Sequence, residues 1–95
     1  MSRNLIASIL AFGSCFSTIA AAHPCTNPDE FARNMALVRS TGVSYEEYVR
    51  VEGKAPDSMT AQIERAIFKA PFDPKAPISK SIRYFVKIID KHCLQ

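Results

Sequence analysis

Two cysteines, Cys25 and Cys93, lie near the two ends of the stretch that carries nearly all the charge in this chain, and they constrain it more than any other feature. A third, Cys15, lies in a charge-free stretch from Leu5 to Ala22. That stretch follows a short leader with one positive charge, Arg3, and its apolar run holds Leu5, Ile6, Ile9, Leu10 and Phe12. Ala20-Ala21-Ala22 supplies an A-x-A site, so residues 1–22 read as a secretory signal cleaved before His23. A retained membrane anchor would ask for about 20 strongly apolar residues, and Gly13, Ser14, Ser17 and Thr18 dilute this one. Lipidation at Cys15 is a further alternative. Phe12-Gly13-Ser14 departs from the Leu-small-small pattern that precedes a lipidated cysteine, and the hydrophobic stretch runs on past it. Cleavage removes Cys15 and leaves an even pair, which in an exported protein reads as a disulfide.

The remaining residues, 23–95, allow one small domain with a thin core, a size at which chains usually need a staple. A Cys25–Cys93 bridge closes nearly all of it and contributes about 4 kcal/mol by loop entropy. A zinc site recruiting His23 and His92 competes with the bridge, but the close Cys-x2-Cys spacing of structural zinc sites is absent.

Start and stop signals divide this part into four helices. Asn27 caps the first, with Pro28 at its first position and Glu30 three residues after the cap. Phe31, Met35 and Val38 recur at helical spacing, with Ala32 and Leu37 beside them, and Gly42 ends the segment. Ser44 and Glu47 form a capping box for a short second helix, with Val43 and Tyr48 as its staple, stopping near Gly53. The third starts at Asp57 or Ser58, presents Met59, Ile63, Ala66, Ile67 and Ala70, and stops before Pro71. After a proline-rich connector, the fourth runs from about Pro77 to His92, with Ile78, Ile82, Phe85 and Ile89 on one side. No two-residue alternation suggests a strand. The expected fold is all-α: a small antiparallel bundle of three to four helices closed by one disulfide and preceded by a cleavable signal peptide.

The chemistry is sparse. Without Arg3 there are eleven Lys plus Arg against nine Asp plus Glu, a formal charge of +2, too mild for a nucleic-acid partner. The two histidines, His23 and His92, flank the cysteines at the edges, where no third group would hold a catalytic base. Glu46-Glu47 suits the positive end of a helix rather than acid–base work. No catalytic residue and no cofactor is expected. Cleavage before His23 would place an α-amino group and an imidazole on one residue, a pair that suits Cu(II). The plain alternative is a disordered chain end. On the fourth helix Lys80, Arg83, Lys87 and Lys91 stack on the side opposite the apolar stripe, with Tyr84 beside them. That side is the candidate partner-binding face, for a protein or an acidic membrane surface, or else a solvated face with cations near a helix C-terminus.

The landmarks Cys25, Ala32, Met35, Arg39, Gly42-Val43, Ala66 or Ala70, Pro71 or Pro74, and Cys93 resemble a group of small exported bacterial helical proteins of unknown function with two terminal cysteines. The resemblance implies the helical scaffold and its disulfide and brings no activity. The functional expectation is an exported interaction module in the periplasm or secreted: an inhibitor, an immunity-type protein or an accessory subunit. The alternatives are a chaperone-like stress protein and copper binding through His23.

Overall fold

The computed structural model describes residues 23–94. The signal peptide expected over residues 1–22, with Cys15, lies outside the described residues. Those described form four helices and no strand: α1 (Pro28–Ser40), α2 (Tyr45–Glu52), α3 (Ser58–Lys69) and α4 (Ile78–Cys93).

The starts of α1, α2 and α3 are each set by one side chain within the same turn, whereas α4 starts after Pro77 with no side-chain cap. Asn27 Oδ1 accepts the Glu30 N–H at 3.3 Å, while the Asn27 amide donates to the Glu30 carboxylate at 3.0 Å. Ser44 Oγ accepts from Glu47 N at 3.1 Å and Asp57 Oδ1 from Thr60 N at 2.7 Å. Each bond satisfies a backbone donor that the helix leaves without a partner. Gly42 and Gly53 follow α1 and α2 with φ of 82° and 86°, the left-handed backbone that glycine takes without a Cβ clash.

α1 packs chiefly on α4, α4 also packs on α3, and α1 touches α3 more lightly. Phe31, Ala32, Met35, Ala36 and Val38 of α1 meet Ile63 and Ile67 of α3 and Phe85 and Ile89 of α4 in one core, joined by Tyr48 and Ala70. Short α2 is tied on through Tyr48, whose ring lies 5.3 Å from that of Phe68 on α3. Cys25 and Cys93 are disulfide-bonded with Cα atoms 5.7 Å apart, fixing the start of α1 to the end of α4. The sulfur of Met59 lies 3.5 Å from that of Cys25, so the bridge packs on α3 as well.

Four positions depart from the expected faces. Leu37 and Ile78 are 43% and 42% exposed. Leu37 lies two residues beyond Met35, about 200° round the helix, and Ile78 is the first residue of α4, past the end of the core. On α3 the buried row is Thr60, Ile63, Glu64 and Ile67, so two polar residues enter a face expected to be aliphatic. The Thr60 hydroxyl is buried with no hydrogen-bond partner among the described residues.

Candidate functional site

The outward side of α4 holds the predicted residues together. Lys80, Arg83, Tyr84, Lys87 and Lys91 are all exposed. At 100° per residue they fall within an arc of roughly 100°, and Lys80 and Lys91 stand about 16 Å apart along the axis. None of the four cations lies within ion-pair distance of a carboxylate: among the described residues, the one basic side chain that does is His23, beside Asp57. The opposite side of α4 is consumed by the core, where Phe85 and Ile89 are fully buried.

Beside the first two turns of this face runs a groove of about 490 Å³, lined by Pro71, Phe72, Asp73, Ala76, Lys80, Ser81 and Tyr84. The 70–77 connector makes one wall and α4 the other. Phe72 stacks near Phe85 with ring centres 6.5 Å apart, and Tyr84 leans on Phe85 from the other side at 6.3 Å. Asp73 turns its carboxylate into the connector, where Oδ1 accepts the Lys75 N–H at 2.9 Å and its carbonyl accepts from Ala76 N at 3.1 Å.

Arg39 holds the far side of Phe72. Its Nη1 donates to the Ile67 and Ala70 carbonyls, the latter at 2.9 Å, closing the C-terminal end of α3. The guanidinium lies over the rings of Phe68 and Phe72, 5.9 and 5.2 Å from their centres. A cation at a helix C-terminus and over aromatic faces is favoured on both counts. Burial lowers the Arg39 pKa, yet a guanidinium starts so high that it stays charged.

His23 makes two polar contacts through its ring. Its Nδ1 accepts the Cys25 N–H at 3.1 Å and its Nε2 stands 3.2 Å from the Asp57 carboxylate. Pro24 beside it is fully buried. The network assigns the ring proton to Nε2. Copper chelation with the residue's own α-amino group would use the near nitrogen, Nδ1, which already accepts from Cys25. Among the described residues, no three His, Cys, Asp or Glu side chains cluster as metal ligands. The Thr60 N–H, more than His23, holds the Asp57 carboxyl below its ordinary pKa.

A buried polar pair was not read from the sequence. The Tyr48 hydroxyl donates to Glu64 Oε2 at 3.0 Å, with the two residues 8% and 5% exposed. Burial, then the neighbouring carboxylate, pushes the Tyr48 phenol far above its ordinary value. Burial raises the Glu64 carboxyl too, against the pull of the tyrosine hydrogen bond, and Glu52 adds a like charge that raises it further. This pair joins α2 to α3.

Comparison with protein-family models, with curated proteins and with solved structures gives no match.

Proposed function

We propose that this chain is an exported, disulfide-stapled interaction module that binds a protein partner through the outward side of α4, as an inhibitor, an immunity-type protein or an accessory subunit. One observation carries the reading. Four exposed, unpaired cations and an exposed tyrosine share one side of a helix whose other side packs Phe85 and Ile89 into the core. Arg and Tyr are the residue types that carry binding energy at protein interfaces. Export is supported by the disulfide, since such bonds persist in oxidising compartments, and by the signal-like layout of residues 1–22.

A client-binding chaperone would need a broad apolar surface. The exposed large apolar residues here are instead divided among α1 (Leu37), α2 (Val51) and α4 with its end (Ile78, Tyr84, Leu94).

The test is a photo-crosslinking residue at position 91 in the chain expressed in its own host, with and without K80E/R83E/K87E. All three positions are exposed, so the triple variant keeps its helical content and its melting midpoint. Capture of one stoichiometric partner, lost in the triple variant, supports the reading. Capture that survives the reversal sinks it. Mass measurement of the chain from the exported fraction, starting at His23 and lacking free thiols, checks export.

A further inference from the structure

We propose that the groove between the 70–77 connector and α4 seats one bulky apolar side chain from an acidic segment of the partner, whose carboxylates run along Lys80, Arg83, Lys87 and Lys91. This rests on reading α4 as the interaction face, and adds the chemistry of what binds there.

Three features of the groove point to an apolar anchor with an acidic surround. Its walls are mostly carbon, from Pro71, Phe72, Ala76 and the ring of Tyr84. Its one carboxylate, Asp73, turns Oδ1 to the connector, where it accepts the Lys75 N–H, and the residue stays exposed to solvent. Lys80 belongs both to the groove and to the cationic row, so a side chain seated in the groove places its neighbours at the start of that row. From there the cations continue for about 16 Å, the length of roughly eleven helical residues or five extended ones. The cleft beside α2, of about 650 Å³, differs because Glu46 shares it with Arg39, Arg65 and Lys69.

The same cations would attract an anionic membrane, but the geometry favours a protein segment. An interfacial helix must bury its apolar side in the lipid. On the apolar side of α4, Phe85 and Ile89 are fully buried in the core and could reach lipid only by unfolding the bundle. A concave groove on one flank fits a single projecting side chain better than a flat headgroup layer. Tyr84 suits an anchor contact: its ring is held against Phe85 while 45% of the residue stays exposed.

The experiment uses a fluorescein-labelled peptide of about 12 residues, mostly Asp and Glu with one central Leu, read by anisotropy against residues 23–95 with the bridge intact. Its companions are the same peptide with the Leu replaced by Ala, and vesicles of equal parts phosphatidylglycerol and phosphatidylcholine. The Leu peptide is expected to bind, more weakly as salt rises. The Ala peptide and the Y84A protein each lose about tenfold in affinity, and K80E/R83E/K87E abolishes binding. Circular dichroism shows that both variants keep their helices. Equal binding of the Leu and Ala peptides, or an unchanged affinity in Y84A, overturns the proposal, because the face then reads charge alone. Vesicles that outcompete the peptide overturn it in favour of a membrane. Failure of the peptide alongside capture of a partner at position 91 refutes the anchored acidic segment and leaves the interaction module standing. Anchor-dependent peptide binding without such capture supports the groove and counts against the module.

Discussion

The Tyr48–Glu64 pair allows a stability prediction with a definite sign. Tyr48→Phe removes the one hydroxyl that serves Glu64 Oε2 and leaves the ring in place against Phe68. The residues are 8% and 5% exposed, so little solvent is at hand to replace the lost donor. A hydrogen bond to a charged group contributes about 1.5–3 kcal/mol, and one between neutral groups about 0.5–1.5 kcal/mol. Tyr48→Phe therefore costs the larger amount where Glu64 is ionised and the smaller where it is protonated. Glu64→Gln keeps the size and an accepting oxygen but deletes the charge. The folded-state pKa of Glu64 lies above its ordinary value of 4.5, so the folded chain holds this proton more tightly than the unfolded chain. Its contribution to stability is fully present below about pH 4.5 and is lost as pH rises through the raised folded value. Urea unfolding followed by circular dichroism between about pH 4 and pH 8 reads both effects. Glu64→Gln should match the parent at the acid end and gain on it steadily as pH rises, while Tyr48→Phe falls further behind over the same range. Parallel pH curves for the parent and Glu64→Gln would refute the reasoning. So would a loss of under about 0.5 kcal/mol in Tyr48→Phe at the neutral end.

Two further changes test the frame that holds the site. Cys25 and Cys93 are 68 residues apart in sequence, and opening so long a loop by C25S/C93S should cost about 4 kcal/mol in chemical unfolding. A loss under about 1 kcal/mol would mean that the helices hold together without their staple. Arg39→Met keeps a long apolar stem but loses the donors to the Ile67 and Ala70 carbonyls, at an expected cost of about 2–3 kcal/mol. Arg39→Lys should recover only part of that, because a single ammonium does not reproduce the planar guanidinium over Phe68 and Phe72. Full recovery by lysine would show that charge alone does the work.

What could be read from the sequence follows from how far apart the partners are. The starts of α1, α2 and α3 were legible because Asn27, Ser44 and Asp57 each act on a backbone N–H three residues away. The disulfide was legible from parity once Cys15 was assigned to a signal. The basic row of α4 was legible because helical spacing alone groups it. Arg39 and Glu64 were not. Each looks like an ordinary surface charge in its local sequence, and each is defined by a partner 28 or 31 residues away in one case and 16 in the other. One trace of Glu64 was available: Thr60, Ile63, Glu64 and Ile67 fall on a single helical row, the one that is buried. The groove left no trace, because Phe72 sits in a proline-rich stretch that reads as a spacer. Its ring is placed by Phe85 on one side and Arg39 on the other.

The direction of the pH dependence also bears on function. A client-binding stress protein that opens in acid needs groups whose protonation destabilises the fold. The buried carboxyl of Glu64 does the reverse, since its pKa is raised mainly by burial, and Glu52 is raised by burial as well. Both favour the folded chain as pH falls from neutrality. Asp57 has the opposite sign, because its depressed carboxyl supports the fold above its ordinary range and releases that support on acidification. Asp57 lies at the exposed start of α3, where solvent screens what it contributes, whereas Glu64 sits inside the joint between α2 and α3. Glu64 and Asp57 therefore act in opposite directions on acidification, and the buried group is the less screened of the two. Protonation of Glu64 thus supplies no acid-opening device at the joint between α2 and α3. An acidic partner loses its own charge once its carboxylates are protonated. Binding by the acidic peptide should accordingly hold steady from neutral pH down to the carboxylate range and then collapse, with the helical signal of this chain unchanged throughout. Loss of helix ahead of loss of binding would reverse the assignment and favour the alternative, client-binding reading.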